Sequence, residues 1–305
     1  MTMNRSSQHQ PILRVANDGS AVQVGHTSEF SVDSTSTFQA VAENAIRLRG
    51  LYSEAGLDLS RTSTLRGLID DTVALAAADV DDRQFPHLLS ALQVQRISAA
   101  VLPLAGSPLV REKLAETLDG DLNLLSRKQS KAKDTLWELE LHRILSACGI
   151  STRFAEPDLM ILLAGSDAGI ACKKLYSEAN VEKVLSIGIH QVEKNCSSGI
   201  VALDIEELLP ENAILQVPNS AGMIARLNAH IDDFMQRHER HLRKYLEPGR
   251  AISVVVSCAA LVDILDRTPR FYAARQTTMW NIPNDTPKQT IQVKAILDAL
   301  LSSHA

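Results

Sequence analysis

ELELHRILSACGISTRFAEPDLMILLAGSDAGIACKK, residues 138–174, carries two acids in a helical pattern, a Pro-Asp pair before an apolar run, and a lysine ending a second apolar run. Its first part repeats apolar residues at three- and four-residue steps, which predicts a helix. Strands are predicted over 151–155, 159–163 and 169–173, with a turn at 165–168. The stretch therefore predicts a helix followed by three strands, with ionisable groups at strand ends.

The residues after this stretch continue a mixed pattern of helices and strands. Ser177 is suited to cap a helix, and Pro248-Gly249 is suited to end another. This alternation is typical of an α/β domain. The predicted elements are a helix over 177–195, a strand over 200–205, a long helix over 221–246, strands over 252–256 and 271–280, and a helix over 287–301.

The residues before it differ in composition. Residues 1–35 are rich in Ser, Thr, Asn, Asp, Gln and Gly, which predicts a flexible arm. Residues 36–133 show helical periodicity, with further helices over 86–101 and 107–118. We therefore predict an arm over 1–35, a helical domain over 36–133 and an α/β domain over 134–305.

Composition sets broad limits on function. Apolar residues form 45% and charged residues 22% of the 305 residues, which is ordinary for a globular protein. The formal charge of −5 provides no overall attraction to nucleic acid, so binding would need a local basic surface. Widely spaced cysteines, no leader pattern and no run of about 18 apolar residues predict buried thiols, a cytoplasmic protein and no membrane partner. The cysteines are Cys148, Cys172, Cys196 and Cys258.

The acids and the lysine of 138–174 suit one kind of chemistry. Mg²⁺ prefers carboxylate oxygens and keeps several waters, and a nearby ammonium stabilises charge on a phosphate. Asp158 begins an apolar strand, and strand alternation places Lys173 on the same face as Ala171. Glu138 lies closer to the apolar side of its helix than Glu140 does, so Glu138 is the preferred acid and Glu140 the alternate.

These residues resemble the PD-(D/E)xK nuclease superfamily, in which a helix carries a Glu, a hairpin carries Pro-Asp and then Glu-x-Lys, and a helix follows. Pro157-Asp158 matches the first signature and Lys173 matches the lysine, while Ala171 stands at the usual second-acid position. The resemblance covers about 136–205. It implies a restriction-endonuclease-like mixed central sheet flanked by helices, here preceded by an all-helical N-terminal domain.

The resemblance also implies roles for individual residues. Asp158 and Glu138 would bind Mg²⁺ or Mn²⁺, and the main-chain carbonyl of Cys172 would be available to the same ion. Lys173 would orient the attacking water and stabilise phosphate charge, with Gln191 near the site.

The alanine at position 171 leaves two alternatives. Glu178 and Glu182, one helical turn apart, would replace the missing acid at the metal, as some members of the superfamily do. Otherwise the site has lost catalysis and keeps nucleic-acid binding. The first alternative is the preferred one.

A nuclease also needs basic residues for phosphate. Lys174 follows the catalytic lysine, and Arg237, Arg240 and Lys244 share one face of the long helix. Neighbouring acids also fit an ordinary solvated face. The alternative basic patch consists of Arg127, Lys128, Lys131 and Lys133.

The sequence thus predicts a metal-dependent endonuclease that hydrolyses DNA phosphodiesters. The helical domain would serve target selection, a protein partner or homo-oligomerisation. Two alternatives are an inactive nucleic-acid-binding module and a helical protein-interaction scaffold. The choice between DNA and RNA, the sequence preference and the oligomeric state stay open.

Overall fold

The computed structural model describes residues 9–15, 22–31, 38–79, 82, 84–268, 270–282 and 287–302. Its strands are β1 (His9–Val15), β2 (Val22–Ser31), β3 (Thr152–Ala155), β4 (Asp158–Leu163), β5 (Ser166–Lys174), β6 (Gly199–Asp204), β7 (Ile214–Val217), β8 (Ser253–Ile264) and β9 (Phe271–Asn281). Its α-helices are α1 (Phe38–Glu54), α2 (Thr64–Ala77), α3 (Phe85–Val101), α4 (Val110–Glu116), α5 (Lys131–Ala147), α6 (Val181–Asn195), α7 (Ser220–Leu246) and α8 (Pro287–Ser302).

All the strands belong to one mixed sheet in the order β1-β2-β9-β8-β6-β5-β4-β3, with β7 pairing with β8. β3, β4 and β5 form an antiparallel meander, whereas β5, β6 and β8 run parallel. The crossover from β5 to β6 is made by α6, as a parallel connection requires. The predicted mixed sheet flanked by helices, with a helical N-terminal region, is confirmed at this level.

Helices cover both faces of the sheet. α6 and α7 pack on one face, where alternate β6 residues Val201 and Leu203 join their core. α5 and α8 pack on the other face, where Ile200 and Ala202 point. This alternation of neighbouring residues between two cores is the strand periodicity expected of a sheet buried on both sides.

The N-terminal helices form a bundle that shares α5 with the sheet domain. Leu136 and Leu139 of α5 lie in the bundle core, while Trp137 and Leu141 lie in the sheet core. The predicted boundary at residue 133 therefore falls inside a helix that belongs to both regions. Arg96 of α3 also reaches the interior beside the sheet.

Several predicted elements differ from the structure. Residues 9–15 and 22–31, expected in a flexible arm, form β1 and β2, and β2 pairs along β9. The rest of that predicted arm lies outside the described residues. β7 had no predicted counterpart, and 178–180 form a short 3₁₀ helix ahead of α6.

The turn between β4 and β5 lies slightly earlier than predicted. Ala164 and Gly165 both have positive φ, and Leu163 pairs with Ser166. Two left-handed residues in a two-residue loop match the twist of an antiparallel hairpin, and glycine adopts this conformation at no steric cost. The register that brings Asp158 opposite Ala171 follows from this tight turn, because Leu159 pairs with Ile170.

Within the described residues, no helix combines the length and apolar character needed to cross a bilayer. All four cysteines are free thiols, and three of them are buried.

Candidate functional site

Asp158 and Lys173 form the centre of the candidate site. The Asp158 carboxylate accepts hydrogen bonds on Oδ2 from Lys173 Nζ at 3.0 Å and from the Cys172 backbone N–H at 2.7 Å. Lys173 Nζ also donates to the Cys172 carbonyl oxygen at 2.8 Å. The Asp158 and Lys173 side chains keep 17% and 18% of their surface exposed, so this ion pair is open to solvent and to a small ligand.

Glu138 reaches the same region from α5. Its Oε2 accepts a hydrogen bond from Lys113 Nζ of α4 at 2.9 Å, and its side chain is 7% exposed. Burial raises the pKa of the Glu138 carboxyl; Lys113 opposes that rise and the charge of Asp158 adds to it. Asp158 therefore adds an unfavourable negative charge to the surroundings of Glu138.

The pKa of the Cys172 thiol shows that these charges share one neighbourhood. Burial raises that pKa most, and the negative charges of Asp158 and Glu138 raise it further. The positive charges of Lys173 and Lys113 act on the same thiol in the opposite direction. Lys173 and Asp158 are joined by a hydrogen bond, and Glu138 is joined to Lys113, so the three side chains that the sequence singled out lie in one charged neighbourhood around Cys172. We call these three, with Lys113 and its partner Glu116, the open cluster.

Lys113 was missed by sequence reasoning. It lies in a short helix of the N-terminal region, and 25 residues separate it from Glu138. Its Nζ also donates to Glu116 Oε2 at 2.9 Å, and it lies 5.5 Å from the centre of the Phe154 ring. A lysine with ordinary i,i+3 charge spacing on a helix gives no sequence signal for a distant acid.

The position of the missing acid, residue 171, is covered by α6. Ala171 is fully buried. Gly188 of α6 lies directly over it, since a Cβ at Gly188 would come 3.6 Å from the Ala171 Cβ and 3.0 Å from a Val201 methyl. Glycine at 188 allows α6 to approach the sheet closely, and this approach fills the space above Ala171 with main chain.

Glu178 and Glu182, the two proposed replacements, point to another helix. Glu178 accepts hydrogen bonds from Arg237 at 2.7 Å and pairs with His238 at 2.9 Å. Glu182 accepts from Lys244 at 3.1 Å, and both carboxylates are largely exposed. Their contacts are thus with α7, and the structure does not bring them to Asp158.

Gln191 lies one turn beyond Gly188 on α6. The Gln191 side-chain oxygen is buried, and no hydrogen-bond partner for it is found in the part of the chain that the structure describes. A role for Gln191 beside Asp158 and Lys173 therefore stays a prediction.

Glu140 and Lys174 belong to a separate, interior group of charges. Arg96 donates to both oxygens of Glu140 and to both oxygens of Glu206. Lys174 Nζ donates to Asp204 at 2.8 Å and to Glu206 at 3.2 Å. We call Arg96, Glu140, Lys174, Asp204, Glu206 and Arg275 the sealed cluster, because none of these side chains is more than 5% exposed.

This placement corrects two expectations about individual residues. Lys174 was expected to contact nucleic acid, but its ammonium is buried between carboxylates of the sealed cluster and cannot reach a phosphate. Glu140, the alternate acid, is bound by two arginines instead of a metal. Two acids on the same helix, α5, therefore belong to different clusters: Glu138 lies in the open cluster and Glu140 in the sealed cluster.

The predicted basic stripe on α7 is balanced by acids. Arg237 is bound by Glu178 and Asp233, and Lys244 is bound by Glu182. Arg240 is exposed beside them. In the alternative patch, Arg127 bonds main-chain carbonyls and Lys133 is buried, while Lys128 and Lys131 are exposed. Neither surface is an extended run of unpaired cations.

The open cluster has a donor set that suits Mg²⁺ or Mn²⁺ with retained waters. Mg²⁺ is commonly held by one or two carboxylates, and Glu138, Asp158 and the Cys172 carbonyl supply two carboxylates and a third oxygen. The hydrogen bonds described above use one oxygen of each carboxylate. Among the described residues, no group of three or more His, Cys, Asp or Glu side chains could hold a metal ion.

Comparison of the chain with protein-family models, with curated proteins and with solved structures gave no match. The class defined by the fold is an α/β protein with a mixed sheet and a helical N-terminal region.

Proposed function

We propose that the protein is a metal-dependent endonuclease of the PD-(D/E)xK type that hydrolyses DNA phosphodiester bonds. One observation carries the proposal: Asp158 and Lys173 form a part-exposed ion pair in which Lys173 is also bound to the Cys172 carbonyl oxygen. The buried Glu138 carboxylate of α5 lies in the same charged neighbourhood. The order of α5, the meander of β3 to β5, α6 and β6 is also the order that the resemblance predicts.

The roles follow from these contacts. Asp158 and Glu138 would hold Mg²⁺ or Mn²⁺, and the ion would polarise the phosphodiester and lower the pKa of a bound water. Lys173 is held by Asp158 and by the Cys172 carbonyl, so its ammonium is fixed beside the carboxylate. A fixed ammonium stabilises the negative charge that develops on phosphate, without reorganisation at the moment of reaction.

A second candidate function is nucleic-acid binding without catalysis. The burial of Ala171 under Gly188 favours it, because no carboxylate takes the place of the second acid there. Glu178 and Glu182 are engaged with α7. The two candidates share the same phosphate-binding surface and differ in whether a bound metal leads to cleavage.

Cleavage of plasmid and linear single-stranded DNA by purified protein with Mg²⁺ or Mn²⁺ tests the proposal. The variants are Asp158→Asn and Lys173→Ala, with Glu193→Gln as a matched control in an exposed ion pair with Arg250. We expect each site variant to lower the rate by about 10²–10³-fold, the effect of removing one electrostatic group from an active site. The control should keep the wild-type rate.

Folding of each variant is checked by circular dichroism and urea unfolding. Metal-independent DNA binding with no cleavage under any metal would favour the binding module. Cleavage that survives Lys173→Ala, or absence of both binding and cleavage, would overturn the nuclease proposal.

A further inference from the structure

The cation that contacts Glu138 comes from outside the helix-and-hairpin segment that resembles nucleases. Lys113 lies in α4, in the N-terminal helical region, and its Nζ is 2.9 Å from Glu138 Oε2. We propose that Lys113 is an autoinhibitory cation that occupies Glu138 and must be displaced from it before a divalent metal can bind there. This inference rests on the proposed function, since it concerns the same metal site.

Lys113 competes with a metal ion for the charge of Glu138. Its ammonium donates to one oxygen of the Glu138 carboxylate and neutralises the negative charge that would attract a divalent cation to this carboxylate. Lys113 has a second partner, Glu116 Oε2, also at 2.9 Å. It can therefore leave Glu138 without becoming an unpaired charge, and Glu116 lies on its own helix one turn away.

Packing holds Lys113 in this position. Its ammonium lies over the Phe154 ring, and His142 is stacked on the same ring with ring centres 4.5 Å apart. Phe154 is in β3, four residues before Asp158. The strand that contacts Lys113 is therefore the one that immediately precedes Asp158 in the chain.

Charge gives the expected direction of the effect. The open cluster contains three carboxylates, Glu116, Glu138 and Asp158, and two ammonium groups, Lys113 and Lys173. Each of the two metal-binding carboxylates is therefore already neutralised by one lysine. Removing the charge of Lys113 leaves the cluster more negative and strengthens its attraction for a divalent cation.

Binding of Mn²⁺ alone, without nucleic acid, tests this inference. Free Mn²⁺ is measured by electron paramagnetic resonance at a fixed pH of about 8, above the ordinary carboxyl range. The variants are Lys113→Met, Lys113→Arg and the double variant Lys113→Met with Glu138→Gln. Lys131→Met is the control, because Lys131 is exposed and acts on Glu138 only as a more distant charge.

Lys113→Met should tighten Mn²⁺ binding by about tenfold or more, the scale of losing one opposing charge at contact distance. Lys113→Arg should bind like the wild type, and Lys131→Met should change affinity by less than about threefold. The double variant should lose the gain. Urea unfolding shows which variants are folded. Lys113→Arg keeps the positive charge, so it separates the effect of charge from an effect of the substitution on packing.

The outcomes separate the two proposals. Wild-type binding of Mn²⁺ that Asp158→Asn abolishes, with no gain in Lys113→Met, overturns the role of Lys113 and leaves the nuclease proposal standing. No Mn²⁺ binding by any variant at millimolar concentration overturns both. Tighter binding in Lys113→Met that the double variant cancels supports the inference even where no nucleic acid is cleaved.

Discussion

Glu138 and Glu140 are two residues apart on α5, and they enter two different kinds of charged cluster. Glu140 is bound by Arg96 and Arg275 in the sealed cluster, with 1% of its side chain exposed. Glu138 meets one lysine in the open cluster, whose centre, Asp158 and Lys173, remains part-exposed. The two clusters have similar residue types and differ in access and in how completely their charges are paired.

Exposure and the number of cationic partners distinguish a charge that stabilises the fold from one that is available to a ligand. In the sealed cluster each carboxylate has at least two cationic partners, and Arg275 also lies over the Trp137 ring at 4.8 Å. Buried charges are tolerated when they are paired and hydrogen-bonded in this way. In the open cluster the carboxylates have fewer cations and repel each other, an arrangement that an added cation would relieve.

The largest expected effect is on the free energy of unfolding of Glu140→Gln compared with Glu138→Gln. Glu140→Gln removes the negative charge that is bound by both Arg96 and Arg275. It should lower the free energy of unfolding by about 3–5 kcal/mol, the scale for breaking a buried ion pair. Glu138→Gln should cost about 1 kcal/mol or less, because its surroundings already favour the neutral form.

Urea unfolding measures both values. If Glu138→Gln is destabilised more than Glu140→Gln, the open cluster contributes more to the stability of the fold than the sealed cluster does.

The next effect concerns the position of the missing acid. Ala171→Asp places a carboxylate in a fully buried position under Gly188. We expect it to lower the free energy of unfolding by about 2–3 kcal/mol, from overpacking and from burying a polar group. If Ala171→Asp keeps the wild-type stability and cleaves faster with metal, then α6 can move to make room for an acid at position 171.

A pH series distinguishes the clusters by the sign of their effects. Burial favours the neutral form of Glu206, but Arg96 and Lys174 outweigh it and hold its pKa well below 4.5. Its contribution to stability is therefore present above pH 4.5 and is lost as pH falls through the folded-state pKa. The stability advantage of the wild type over Glu206→Gln should shrink in acid.

For Glu138 the sign is opposite, because burial raises its pKa above the ordinary 4.5. Its contribution is present below 4.5 and is lost as pH rises through the folded-state pKa. The stability of the wild type relative to Glu138→Gln should therefore fall between acid and neutral pH. Parallel pH dependences of the two differences, measured by urea unfolding, would contradict the contrast between the clusters.

The smallest effect is expected at the surface. Arg250 and Glu193 make a two-bonded ion pair, yet both side chains are more than a third exposed. Glu193→Gln should change the free energy of unfolding by less than about 1 kcal/mol, and added salt should reduce the difference further. A loss of several kcal/mol would mean that exposure is a poor guide to the role of an ion pair in this protein.

Much of the local structure was predictable from sequence. The apolar run after Asp158 predicted β4, the long periodic segment predicted α7, and Pro248-Gly249 predicted its end. The strands β1 and β2 were missed because they lie within a stretch, 1–35, that is polar as a whole, and β2 joins the sheet through pairing along β9. The residues proposed to replace the acid at Ala171 were chosen by helix spacing, which does not specify the neighbouring element that a helix face contacts.

The sequence by itself determined the order of helices and strands around 138–174, because periodicity and turn chemistry act between near neighbours. The choice of Glu138, Asp158 and Lys173 came from the resemblance of this stretch to a nuclease motif. Only the tertiary structure decided that Lys113 contacts Glu138, and that Glu140 meets Arg275, 135 residues away. The physical reason is that charge pairing and burial depend on which elements pack together. That arrangement is fixed by the folding of the whole chain, and no short stretch of residues records it.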